Sequence, residues 1–218
     1  MTKEVKGIIF DMDGVIVDTE QWYQKRRQNF VESLGYKLSI DYHEFIGETF
    51  ASLWDKIKQD IELPLEEVEE KYQAYKEKHR INYQDILIPG VKPMIQLLKA
   101  KGYKLGLASS STLADIMLAL ETHDLVSYFD VINSARDLGD PKPSPLVYQQ
   151  TIKELQLASE TLLAVEDSQA GIRAAKDAGL KVVAYQNAKY NINQDQADYK
   201  IVQPAQLITV IEQCSTKK

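Results

Sequence analysis

Short apolar runs recur along this chain, and each ends on polar or acidic residues. Residues 5–10 form the first, and residues 103–108, 129–132, 161–165 and 180–184 repeat the pattern. A weaker sixth run covers residues 199–202. Runs this short and rich in β-branched residues predict buried parallel strands. Helical periodicity fills the intervals. Residues 92–101 place Met94, Leu97 and Leu98 on one face, and residues 113–120, 145–155 and 168–178 follow the second, third and fourth strands. Gly102 and Gly179 stand where helix C-terminal caps are expected. Alternating strands and helices predict an α/β fold, a doubly wound, mostly parallel Rossmann-like sheet.

One region breaks the alternation. Residues 19–85 contain no buried strand pattern and instead carry charged, aromatic, helical stretches at 21–34, 50–60 and 65–80, punctuated by Gly35 and Pro64. About sixty-five residues is too long for an ordinary connection. The region predicts an inserted all-helical subdomain over residues 18–86, with residues 1–17 and 87–218 forming the α/β core. Residues 14–18 and 86–90 are then the crossing segments.

Composition narrows the possibilities. Hydrophobic residues make up 44% and charged residues 27%, as in ordinary globular chains. The 26 basic against 32 acidic residues give a formal net charge of −6, which argues against a nucleic-acid footprint. Cys214 is the one cysteine, so no intramolecular disulfide forms, and a buried, idle thiol is expected. The apolar stretch Ile8-Ile9-Phe10 stops at Asp11, too soon for a secretion signal, and no run has the length of a membrane span. The expectation is a cytoplasmic monomer acting on a small molecule, without nucleic acid or membrane as partner.

The strand ends carry the candidate chemistry. Asp11-Met12-Asp13-Gly14 follows the first strand, where ligands bind in doubly wound sheets. The second strand ends in Ser109-Ser110-Ser111, whose hydroxyls and backbone N–H groups at a helix start suit an anion. The third is followed by Lys142 between Pro141 and Pro143, a stiffened cation, and the fourth by Glu166-Asp167. Asp11 and Asp167 offer hard oxygen ligands suited to Mg²⁺. A carboxylate nucleophile and a phosphate dianion repel by roughly 4 kcal/mol per charge pair near 4 Å at an effective dielectric of 20. Mg²⁺ and Lys142 would offset that repulsion. Asp13, a second acid, could protonate the leaving oxygen and later deprotonate water. Together these residues describe phosphoryl transfer through an aspartyl-phosphate.

The segments 10–19 (Phe-Asp-Met-Asp-Gly-Val-Ile-Val-Asp-Thr), Ala108-Ser109-Ser110, Pro141-Lys142-Pro143 and 166–171 (Glu-Asp-Ser-Gln-Ala-Gly) occur in one order over nearly the whole chain. In these segments the sequence resembles the haloacid dehalogenase superfamily, in the branch holding β-phosphoglucomutase and its phosphatase relatives. The resemblance implies Asp11 as nucleophile and Mg²⁺ ligand. It implies Asp13 as general acid/base with its backbone carbonyl on the metal. Ser109, Ser110 and Lys142 would bind the transferring phosphate. Asp167 would ligate Mg²⁺, with Glu166 acting directly or through water. The inserted helices would be a mobile cap that excludes water and chooses the substrate.

The chain departs from the mutase pattern in the insertion. Tyr23 stands where the mutase has a histidine four residues after the motif threonine. Gly47 corresponds to the mutase cap glycine, but Ile46 replaces the preceding lysine, and Glu48-Thr49-Phe50 follow in place of an arginine. A mutase must hold a bisphosphate by cations at both ends. The departures favour a Mg²⁺-dependent phosphatase of a small phosphomonoester, a sugar phosphate. The mutase stays as an alternative, with Lys56 or Lys58 available as substitute cations. A catalytically inactive phosphate-ligand binding protein is a third reading, opposed by the intact Asp11, Asp13, Lys142 and Asp167. The intact Asp13 and Glu166-Asp167 also oppose dehalogenation, which needs no Mg²⁺. Glu20, Tyr23, Gly47 and Glu48 are candidate substrate contacts in the cap. Trp54 is a further candidate more in keeping with core packing. His43, His79 and His123 have no metal-ligand spacing.

Overall fold

β1 (Gly7–Phe10) is four residues long and buried throughout, which only a central strand can be. In the computed structural model, which describes residues 4–36, 54, 64–186 and 192–216, β1 pairs with β2 (Lys104–Ser109) on one side and β4 (Leu162–Glu166) on the other. β3 (Val131–Ser134) extends the sheet beyond β2. β5 (Lys181–Tyr185) and β6 (Tyr199–Ile201) extend it beyond β4. The order is β3-β2-β1-β4-β5-β6, and every one of these pairings is parallel. The chain leaves β1 in one direction and returns on its other side at β4, so the topological switch lies between β1 and β4.

Seven α-helices are described: α1 (Glu20–Ser33), α2 (Leu65–Lys78), α3 (Val91–Ala100), α4 (Leu113–Thr122), α5 (Leu146–Leu155), α6 (Gln169–Asp177) and α7 (Gln206–Thr216). No helix among the described residues is long and apolar enough to cross a membrane. Strand alternation sends neighbouring β1 side chains to opposite faces. Ile9 joins a buried cluster with Ala108, Val147, Tyr148, Leu155, Ala164 and Ile172, drawn from β2, α5, β4 and α6. Phe10 meets the edge of Phe129, with ring centroids 6.3 Å apart.

The chain divides into two compact units, Met1–Asp18 with Tyr83–Lys218, and Thr19–Asn82. The first contains the whole sheet. Its two crossing strands of chain hold each other: Asp18 N–H donates to Ile86 O at 2.7 Å and Ile88 N–H to Ile16 O at 2.9 Å. In the second unit, Phe30 on α1 packs against Tyr72 and Tyr75 on α2, at centroid distances of 4.9 and 5.4 Å. Glu66 and Glu67 in the first turn of α2, and Lys76 and Lys78 in its last, complement the helix dipole.

The sheet is as the apolar runs predict, with shifted boundaries and one added helix. β3 starts at Val131 rather than residue 129, because residues Val126–Tyr128 form a 3₁₀ turn and Phe129 spends its ring on Phe10. α7 is a helix beyond those that the apolar periodicity predicts. Its buried Leu207, Val210, Ile211 and Cys214 nonetheless have helical spacing. Cys214 is buried, with Sγ 3.3 Å from the Tyr199 hydroxyl, in keeping with a structural thiol. The helix predicted over residues 50–60 lies outside the described residues, apart from Trp54, which is helical and buried.

Gly106 on β2 lets α5 lie directly on the sheet. A Cβ there would come within 2.7 Å of Thr151 Cγ2 and 3.2 Å of Leu155 Cδ1, both on α5. Gly106→Ala is therefore expected to cost about 1–3 kcal/mol through overpacking. The urea midpoint should fall while the slope stays unchanged.

Candidate active site

At the ends of β1 and β4 a specific local device brings the carboxylates into the site. After β1, the Asp11 N–H still donates to Val165 O at 2.9 Å, so the residue is fixed to the sheet while its side chain passes the strand end. Gly14 then takes φ +76°, a conformation that L side chains rarely adopt. A Cβ at Gly14 would also collide with the Asp167 carboxylate, so glycine is what lets the β1 loop approach the β4 loop. After β4, Ser168 caps α6 by accepting from Gly171 N–H at 3.0 Å. A Cβ at Gly171 would overlap the Glu166 carboxylate, so this glycine gives Glu166 its place.

Asp11, Lys142, Glu166 and Asp167 come together at the switch between β1 and β4. Lys142 Nζ donates to Asp11 Oδ1 at 2.7 Å, Glu166 Oε1 at 2.5 Å and Ala108 O at 2.9 Å. The Lys142, Asp11 and Glu166 side chains are 5%, 8% and 0% exposed, so these are buried ion pairs with little solvent screening. Asp13 sits on the β2 side of the site. Its Oδ2 accepts from Ser111 Oγ at 2.8 Å and from Ser109 Oγ at 3.3 Å. Ser110 is exposed at the end of β2.

Crowding of carboxylates sets the electrostatics. Burial pushes Asp11 up to about 8, against the pull of the Lys142 ammonium, and the Glu166 and Asp13 charges add to the rise. Burial also holds Asp167 well above the usual carboxylate range, with Asp11, Glu166 and Asp13 raising it further. Burial alone would pull Lys142 down, but the Asp11 and Glu166 carboxylates outweigh it and raise the lysine above its ordinary value. Carboxylate oxygens of Asp11, Glu166 and Asp167 lie within 4.8 Å of one another. Hard oxygen donors at this cluster, whose mutual repulsion a cation would relieve, fit Mg²⁺.

Several participating groups escaped the motif reading. Ser111, rather than Ser109, makes the shorter bond to Asp13, and consecutive serines gave no way to choose between them. Tyr148 donates its hydroxyl to Glu166 Oε1 at 2.7 Å, although it lies on the core-facing side of α5. Gln194 Nε2 donates to Asp167 O at 2.6 Å and to Tyr185 O at 3.0 Å, from a segment with no motif.

Of the candidate cap contacts, Glu20 and Tyr23 stand on α1. Glu20 begins α1, and Tyr23 lies edge-on to Trp22 with the Arg26 guanidinium 5.1 Å from its ring. Gly47 and Glu48, with Ile46, Lys56, Lys58 and His43, lie outside the described residues.

The raised carboxyls give a metal-free prediction. A folded-state value above the unfolded one means that the folded chain binds more protons, so stability falls as pH climbs from about 4 to about 8. Mg²⁺ should therefore raise the thermal midpoint more at about pH 8.5 than at about pH 5.5. Asp167→Asn should raise the metal-free midpoint above pH 8, by about 2–4 °C per kcal/mol of repulsion removed. It should also lose most of the Mg²⁺-dependent gain. Scanning calorimetry at both pH values checks this, and an equal Mg²⁺ response in wild type and variant would contradict the assignment.

The pattern of haloacid dehalogenase-like hydrolases matches residues 8–185. A phosphorylated carbohydrates phosphatase of Thermotoga maritima is 29% identical over 222 residues, covering 96% of this chain and 99% of its own. Hexitol phosphatase B of Escherichia coli K12 is 30% identical over 186 residues, 83% of each chain. The crystal structure of β-phosphoglucomutase from Clostridium difficile has the same fold, with a TM-score of 0.74 over 98% of each chain at 23% identity. With its motifs at the ends of β1, β2 and β4 and in the loop after β3, the chain belongs to the haloacid dehalogenase-like hydrolases.

Proposed function

We propose that this hydrolase is a Mg²⁺-dependent phosphatase of phosphorylated carbohydrates, working through an aspartyl-phosphate on Asp11. The observation that carries the reading is the pairing of buried Asp11 with Lys142 beside Asp167, while serine hydroxyls hold Asp13 across the same site. The two phosphatase relatives support the substrate class.

The residues divide the work by chemistry. In the first half-reaction an Asp11 carboxylate oxygen attacks phosphorus and the ester P–O bond breaks. Asp13 gives its proton to the departing oxygen, and the alcohol leaves. In the second, water attacks phosphorus, Asp13 takes the water's proton, and the bond to Asp11 breaks to release inorganic phosphate. Lys142 directs Asp11 and offsets negative charge on the transferring group. Ser109 and Ser111 fix the Asp13 carboxyl, and backbone N–H groups at the start of α4 are available to phosphate oxygens. Asp11, Asp167 and the backbone carbonyl of Asp13 would hold Mg²⁺, which supplies charge neutralisation at the attacking carboxylate and the phosphoryl oxygens. The helical unit Thr19–Asn82 is assigned the choice of substrate.

A ³¹P NMR time course with Mg²⁺ and a panel of sugar phosphates tests the reading. It should contain β-glucose 1-phosphate and a trace of the 1,6-bisphosphate. Growth of inorganic phosphate is the expected result. Conversion of the 1-phosphate into glucose 6-phosphate with little free phosphate would instead establish a mutase. Asp11→Asn should lower turnover by at least about 10³-fold, and Asp13→Asn by about 10²–10⁴-fold.

A further inference from the structure

Both oxygens of Glu166 are engaged by several protein donors. Oε1 accepts from Lys142 Nζ and from the Tyr148 hydroxyl at 2.7 Å. Oε2 accepts from Asp167 N–H at 3.1 Å, Ser168 N–H at 3.4 Å and Ser168 Oγ at 3.3 Å. The residue is fully buried, and Gly171 backs directly onto its carboxylate. A carboxylate supplied in this way has little left to offer a metal, because each oxygen would have to abandon bonds to accept another partner.

Tyr148 completes the arrangement from α5. Its ring is fully buried in the cluster between α5, α6 and the sheet, so the hydroxyl is rigidly placed. Nζ of Lys142 is 3.3 Å from that hydroxyl and 4.9 Å from the ring centroid. The hydroxyl proton goes to Glu166, which leaves the oxygen lone pairs facing the ammonium. Lys142 thus has Glu166, Tyr148 and Ala108 O as partners besides Asp11. When Asp11 turns to phosphorus, those three partners are what keeps the ammonium at the reacting carboxylate.

We propose that Glu166 and Tyr148 are a positioning pair for Lys142, with Glu166 serving the lysine rather than the metal. The proposal rests on the phosphatase reading for its kinetic test, and a spectroscopic test judges it separately. Tyr148→Phe keeps the ring and removes only the hydroxyl. It should lower kcat at least about tenfold with KM changed less than about threefold. The half-saturating Mg²⁺ concentration, read by calorimetric titration, should stay within about twofold, whereas removing a partner of a metal ligand costs about 10–100-fold. An unchanged kcat would overturn the proposal, and so would a tenfold loss of Mg²⁺ affinity, which would place Tyr148 behind a metal ligand.

The second readout needs no substrate. In the metal-free wild type the buried Lys142 ammonium should give a resolved ¹H–¹⁵N signal, assigned by its loss in Lys142→Arg, with cross-relaxation to the Tyr148 hydroxyl proton. In Tyr148→Phe its exchange with water should accelerate at least about fivefold. Absence of the cross-relaxation, or unchanged exchange in the variant, would overturn the pair. If the wild type releases no phosphate from any ester, the phosphatase reading falls while this measurement still decides the role of Tyr148.

Discussion

Lys142 carries a positive charge where the described sheet loops gather four acidic side chains, and the protein must hold that charge without solvent. The ion pairs at 2.5 and 2.7 Å to Glu166 and Asp11 do so. A buried pair loses heavily if either partner is removed, because the remaining charge has no water to turn to. Much of the surrounding architecture follows from this demand. The central position of β1, the switch at β4, the close passage permitted by Gly14, and the packing of α5 onto Gly106 all bring groups to that ammonium.

The same constraint explains why the site is unbalanced in the absence of a cation. Lys142 is the described cation paired within the cluster, against Asp11, Asp13, Glu166 and Asp167. Burial first, and then the neighbouring carboxylate charges, raise Asp11 and Asp167, which leaves stabilisation available to a divalent ion. Such a site costs folding stability in exchange for an electrostatic environment organised in advance of any ligand. Asp11 is held by the sheet and Asp13 by hydroxyls at the end of β2, so their proposed tasks rest on different supports.

The sheet was legible because short buried strands write nearly continuous apolar runs, as in Ile8-Ile9-Phe10 and Leu162 to Val165. The grouping of Asp11, Asp13, Glu166 and Asp167 was legible because their placement at the ends of β1 and β4 is a local property. Phe129 misled the boundary of β3, since an apolar ring serves core and strand equally well. α7 was overlooked although its apolar spacing is helical. Tyr148 and Gln194 were illegible for another reason. One looks like a core residue of α5 and the other like a loop amide, and only tertiary packing brings them to Glu166 and to the Asp167 backbone.

The most direct test of the central claim is to trap the covalent intermediate. A rapid-quench single turnover with an excess of enzyme over a hydrolysed sugar phosphate, followed by acid denaturation and peptide mass spectrometry, locates any phosphoryl group. The account predicts a transient phosphoryl on Asp11 that forms and decays at rates compatible with turnover. Inorganic phosphate released with no covalent species, or a phosphoryl group found on another residue, would contradict it.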